Sequence, residues 1–316
     1  MTDYKMSKEF IKNLSKAFKS LNKDFHKNIN LILLSGGITN KIYLAHFENN
    51  QKYIIRECGN HTENFIDRNL ELRIINELKP YDISRIILKQ FEGGYIESYV
   101  EGRPLNLQDF KQENINKIIG RRLNELHSIN ILNDLPKNPT LWTKIDLWYE
   151  QCVRLYNNDE NLKEMIDYIG QEIKIQKEKQ KKIYSPIIFC HNDLTAANMI
   201  YQNENDIKFI DFEYASYNYR GFDIANLFCE HTGNHCKWEL FPTNREQRLF
   251  YEHYIKHSLI PIDINTLEKE VSFYIPISFL FWSIWGLLQN KHSDVDFYFL
   301  EYAKQRLIGY NKYKNI

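Results

Sequence analysis

The feature that most constrains the fold is a run of twenty residues without a charge, 271–290 (VSFYIPISFLFWSIWGLLQN). So apolar a segment must be kept from water by a bilayer or by its own domain. Pro276, the serines 272, 278 and 283, and the amides Gln289 and Asn290 weaken the membrane reading. The run is also single, with meagre basic flanks on one side. It is therefore predicted to be a buried helix, with no stable membrane insertion. Burying it on all sides takes many elements, and 316 residues are enough for two domains or one large two-lobed unit.

Forty-one basic side chains balance forty-one acidic ones. This argues against binding nucleic acid or anionic membrane by bulk charge. Five scattered cysteines without a CxxC pair predict neither a disulfide framework nor a zinc site, and point to a reducing, cytoplasmic setting. Near the N-terminus Phe10, Ile11, Leu14, Phe18 and Leu21 recur at helical spacing, giving a basic amphipathic helix expected to pack on its own domain. The 14% aromatic share is high. It needs an address.

Residues 31–47 read as two strands around a small-residue turn, and 52–59 as a third strand. Phe65, Leu72, Ile75 and Leu78 mark a helix that Pro80 ends. Strands are expected at 86–88 and 93–102. From Pro104 the pattern is helical, with residues 162–182 read as a solvated, charged helix face. Two short apolar strands return around a polar turn near 187–209. The predicted fold class is thus α+β: a small β-rich N-terminal lobe (1–98), a hinge (99–104) and a larger, mainly helical C-terminal lobe (105–316).

The strongest chemical signal is HNDLTAANMIY followed by KFIDFEY. Asp193 and Asn198 are five apart, and Asp211 follows at the end of an apolar strand. Phosphoryl transfer needs a carboxylate to orient the attacking hydroxyl and take its proton, and oxygen donors to fix Mg²⁺ on nucleotide phosphates. The predicted catalytic set is Asp193, Asn198 and Asp211, with Asn198 and Asp211 as metal ligands. Taken singly, each is equally explained as a turn or cap residue; the spacing and flanking strands favour the kinase reading. Upstream, Ser35, Gly36, Gly37 and Asn40 lie in a turn where backbone N–H groups could cover phosphates, although a plain hairpin turn has the same sequence. Arg56 on the next strand is the candidate phosphate cation, Glu71 its helix-borne partner, and Glu97 the remaining candidate for nucleotide contact.

With these parts in place the chain resembles the choline/ethanolamine kinase family, which has the bilobal protein-kinase-like fold also found in aminoglycoside phosphotransferases. Residues 190–230 (CHNDLTAANMIYQNENDIKFIDFEYASYNYRGFDIANLFCE) and 281–306 (FWSIWGLLQNKHSDVDFYFLEYAKQR) carry the resemblance. It implies Asp193 as base, Asn198 and Asp211 on Mg²⁺, Asp223 as the acid bracing the catalytic loop, and Glu230 in the amino-alcohol pocket. It also implies an aromatic wall of Tyr214, Trp282, Trp285, Phe297 and Tyr302. Trp282 and Trp285, three apart, share one helix face and could hold a quaternary ammonium, each contact contributing about 0.5–2 kcal/mol. Core packing is the competing reading for such a pair.

The family implies ATP and Mg²⁺, a choline or ethanolamine substrate, and the first step of CDP-choline or CDP-ethanolamine phospholipid synthesis; NYRGFD gives choline a lean. A homodimer is an open expectation. Residues 228–235 (FCEHTGNH) depart from the family's FCEW or FSEW, so part of the pocket wall is expected to differ. Two alternatives stand: an aminoglycoside-phosphotransferase-like kinase of another small amino alcohol, and an inactive kinase-like binding module.

Overall fold

Alternation of apolar residues in the first hundred positions builds a five-stranded antiparallel sheet. The computed structural model describes residues 6–23, 25, 29–34, 40–58, 67–256, 258, 261–293 and 295–315. They divide into two units, Met1–Arg103 with Lys208–Glu213, and Pro104–Ile207 with Tyr214–Ile316.

In the first unit, α1 (Lys8–Ser20) is capped by the Ser7 side chain and precedes β1 (Ile29–Leu34), β2 (Asn40–Phe47) and β3 (Lys52–Cys58). Then come α2 (Arg68–Leu78), β4 (Ile87–Phe91) and β5 (Gly94–Ser98), in the sheet order β1-β2-β3-β5-β4. As its periodicity requires, α1 buries Phe10, Leu14, Ala17 and Phe18 against Tyr43, Ala45, Phe47, Ile55 and Ile96 of this sheet. Helix α2 starts on an Asp67 cap and gives way to a 3₁₀ turn containing Pro80; Phe65 lies outside the described residues.

In β3, Arg56 pairs with Ile42 on one side and Tyr95 on the other, so its backbone is fixed from both edges. Gly94 permits this register, because a Cβ there would sit 2.1 Å from the Arg56 carbonyl oxygen. The unit is completed from far along the chain: the Phe209 N–H donates to the Ile83 carbonyl at 2.9 Å, and Lys208 reaches the Asp82 carboxylate at 2.7 Å.

After the two-residue β6 (Arg103–Pro104), the second unit contains α3 (Glu113–His127), α4 (Leu141–Leu155) and α5 (Glu160–Gln180). The strand β7 (Ile187–Cys190) follows; β8 (Met199–Asn203) and the start of β9 (Asp206–Phe209) form a hairpin. β10 (Ser216–Tyr219), not expected from the sequence, pairs antiparallel with β7. The chain ends in α6 (Arg220–Glu230), α7 (Asn244–Ile255), α8 (Ile264–His292) and α9 (Phe299–Tyr313).

The uncharged run is the middle of α8, and 89% of its most apolar window is buried inside the protein. Helices α4, α6, α7 and α9 pack on it. Helix α5 departs from the solvated reading: Glu172 and Gln176 are buried, where Tyr310 donates to Glu172 and accepts from Gln176 at 2.9 Å. Polar residues at helical spacing read as surface; here specific partners bury them.

Candidate active site

The segment carrying Asp193 is held by two side chains one helical turn apart on α6. Asp223 accepts from the His191 N–H at 2.9 Å and the Asn192 N–H at 2.6 Å, and Asn226 accepts from the Leu194 N–H at 2.7 Å. Asn192 adopts φ of 67°, and its side-chain amide donates to the Tyr214 carbonyl and the Ser216 hydroxyl, both at 3.0 Å. A loop whose backbone donors are satisfied by fixed side chains cannot drift without leaving buried groups unpaired. Asp193 is thereby presented half-buried, with the Asn198 amide donating to its carboxylate and to its carbonyl, both at 2.9 Å. These bonds use the Asn198 N–H groups and leave its oxygen as a hard donor of the kind Mg²⁺ prefers.

Behind the loop, His127 contacts Asp223 at 2.9 Å and the Tyr254 hydroxyl at 2.7 Å. Cys190 lies close enough that these three residues could outline a metal site. Burial, then the charge of Asp223, pushes its thiol well above the ordinary range. The Asp223 carboxylate is already engaged by the His191 and Asn192 N–H groups and by His127, so the cluster acts as a brace for the loop.

In the first unit, Arg56 is almost wholly buried and contacts the Asp211 carboxylate at 3.0 Å and Glu71 at 3.9 Å. Burial alone would lower its pKa; Asp211, Tyr95, Glu97 and Glu71 outweigh that and raise it. Arg68 pairs with Glu71 at 3.1 Å and approaches Glu213 at 3.7 Å. Burial raises the Glu71 pKa against the pull of Arg56, and burial with Asp211 and Glu71 raises that of Glu213 strongly. Three carboxylates thus share two arginines. Glu213, two residues beyond Asp211 in IDFE, is a member that the motif did not single out. Glu97 is buried in β5 and accepts from Arg85 at 3.4 Å.

The aromatic candidates do converge within the second unit. Trp282 meets Tyr214 and Trp285 edge-on, each with ring centroids 5.4 Å apart, and the Trp285 indole donates to the Tyr214 hydroxyl at 2.8 Å. Tyr302 packs edge-on to Trp285 at 5.8 Å and contacts Phe297 at 5.7 Å. Gly286 lets α8 and α9 approach this closely, since a Cβ there would lie 2.9 Å from the Tyr302 ring. Glu230, at the end of α6, is 2.8 Å from Arg306 of α9, so its charge is paired inside the protein.

Of the other expected residues, Ser35, Gly36 and Gly37 lie outside the described residues, and Asn40 is described only in its backbone, as the first residue of β2. The departure at 228–235 has a definite result. His231 is buried and stacks on Phe110, ring centroids 4.0 Å apart and 8° from parallel, and neither ring nitrogen has a hydrogen-bond partner. Burial, aided by Lys111, lowers its pKa to about 3. Sequence reasoning missed Asn226 and Arg306, although each lies one helical turn from a residue it did name, Asp223 and Tyr302.

The choline/ethanolamine kinase family model matches residues 31–311. The chain belongs to the choline/ethanolamine kinase family. A Dictyostelium discoideum protein named Probable ethanolamine kinase A is 33% identical over 296 residues, covering 88% of this chain and 83% of the relative. Among solved structures, a Plasmodium vivax ethanolamine kinase aligns with a TM-score of 0.84 and 29% identity, covering 93% of this chain and 85% of that one. A choline kinase from Cryptosporidium parvum gives 0.82 and 26%, covering 98% and 96%. The fold is accordingly protein-kinase-like.

Proposed function

We propose that this protein is an ATP-dependent kinase that phosphorylates the hydroxyl of ethanolamine, releasing ADP. The observation that carries the reading is the braced Asp193–Asn198 loop in the same unit as a cluster of five aromatic side chains. A hydroxyl acceptor needs the first, and an organic cation suits the second. Asp193 orients the hydroxyl and takes its proton as the new oxygen–phosphorus bond forms and the β–γ bridging bond breaks, the leaving oxygen remaining on ADP. The bonds from Asp223 and Asn226 hold Asp193 in place through both events. Arg56 offers fixed positive charge to the nucleotide phosphates, held in β3 by its neighbours. The oxygen donors Asn198 and Asp211 suit Mg²⁺; when bound with the nucleotide, the ion would neutralise phosphate charge. Both substrates are water-soluble, and the reading requires no membrane anchor.

Choline is the second reading, favoured by the number of ring faces, since a quaternary ammonium has no N–H to donate. Purified protein with Mg²⁺ and ATP is expected to release ADP in proportion to added ethanolamine or choline. Rates equal to the amine-free blank with both would sink the proposal. Asp193→Asn is expected to lower kcat by about 10³-fold or more with an unchanged melting temperature. Retained turnover would remove Asp193 as the base.

A further inference from the structure

Arg306 is the most deeply buried cation of the second unit, with no measurable exposure, and nothing in the motif accounts for it. It reaches Glu230 at two points: its Nη1 is 2.8 Å from Oε1, and its Nη2 donates to Oε2 at 3.0 Å. The same guanidinium lies over the Tyr302 ring, 4.8 Å from the centroid, and Tyr302 is one turn earlier on α9. Tyr302 in turn meets Trp285, so the arginine sits directly behind one ring of the aromatic group. Its Nε has no hydrogen-bond partner, and no second carboxylate contacts it among the described residues.

This placement changes what Glu230 can do. A carboxylate in an amine pocket is expected to attract the ammonium directly. Here an internal cation already neutralises that carboxylate, in surroundings where an unpaired charge would be felt strongly. We infer that Arg306 is a positioning residue of the amine site: it neutralises Glu230 and seats Tyr302, so the bound ammonium is held by ring faces and not by a free Glu230 carboxylate. The inference rests on the proposed amino-alcohol kinase activity, and it assigns specificity within that site. Glu230 then serves to keep Arg306 from repelling the substrate.

The two roles for Glu230 separate in a double-mutant cycle. Glu230→Gln alone leaves a bare guanidinium behind the cage and is expected to raise KM for the amine 10-fold or more, with kcat changed less than 3-fold. Adding Arg306→Met, or Arg306→Gln as a second neutral partner, removes that charge and is expected to return KM to within about 3-fold of wild type. Either double variant is also expected to melt above Glu230→Gln, because neutral replacement of a buried pair is better tolerated than half of one. Choline binding followed by tryptophan fluorescence repeats the comparison without turnover. It stands even if the kinase reading fails for lack of ADP release. If the double variants bind choline as weakly as Glu230→Gln does, Glu230 is the direct counter-charge and the inference is overturned. A loss in kcat alone, with KM and choline affinity unchanged, would overturn it too.

Discussion

Two arginines are buried to nearly the same degree, yet they live in opposite electrostatic settings. Arg56 in β3 is shared: Asp211 at 3.0 Å and Glu71 at 3.9 Å both draw on it, with Glu213 and Arg68 close by. Arg306 in α9 is paired with one carboxylate, Glu230, and lies over the rings of Tyr302 and Phe279. An oversubscribed cation leaves negative charge unspent, which suits a place where a metal-bound polyphosphate must be held. A one-to-one pair leaves nothing unspent, which suits the wall of a pocket that takes its charge from the ligand. The same residue type therefore marks a site by its surplus in one unit and by its balance in the other.

The comparison is tested most severely by removing the shared cation. Arg56→Met removes the cation 3.0 Å from Asp211 and leaves Glu71 to Arg68, and should cost about 3–5 kcal/mol of stability by urea denaturation. A cost below about 1 kcal/mol would show that the acids of the cluster do not depend on Arg56. Next in size is the contrast between the two acids. Glu230→Gln leaves Arg306 without the one carboxylate that pairs with it among the described residues and should cost about 2–4 kcal/mol. Glu71→Gln removes one of several acids around Arg56 and should cost less than about 1 kcal/mol. Equal costs would erase the distinction between shared and private pairs.

The last test is in pH, where His231 and Glu213 should respond with opposite signs. His231 titrates near 3 in the folded protein against an ordinary 6.5, so between those values the unfolded chain binds the extra proton. Its contribution to stability is intact above pH 6.5 and falls as pH drops toward 3, by about 2–3 kcal/mol at pH 4.5. Glu213 is raised, so its contribution is present below the ordinary carboxylate range and is lost as pH rises through its folded value. His231→Phe should flatten the acid side of the stability profile. An unaltered profile in the His231 variant would show that this ring is protonated, or reaches water, in the folded state.

Much of this was legible before any coordinate. The strands around Arg56 and the burial of residues 271–290 follow from local patterns, because periodicity reports which face is buried. Spacing puts Trp282 and Trp285 on one helix face, and only the family resemblance implied that Tyr214 and Tyr302 join them. What the sequence withheld are partnerships. Glu172 and Gln176 read as a solvated face until distant residues supply their counter-groups, and Arg306 carries no local sign of its partner on α6. Asn226 shows no signal beyond its spacing from Asp223. Strand β10 escaped because Ser216–Tyr219 is polar and finds its ladder only on β7. His231 could be flagged as a departure, but its stacking on Phe110, far away in the chain, could not.

The first unit also has an interrupted pedigree: it takes its last piece, Lys208–Glu213, after the chain has built much of the second. Arg56 meets Asp211 across 155 residues. At ordinary translation rates of about 5–20 residues per second, the arginine waits roughly 8–30 s for that partner. During synthesis the nascent sheet must tolerate a cation lacking its nearest carboxylate, with Glu71 as the stopgap. A fragment ending at Arg103 would keep that condition permanently. Dissecting this protein at its apparent domain border would therefore separate Arg56 from Asp211, whereas a cut that carries residues 208–213 along would keep the pair.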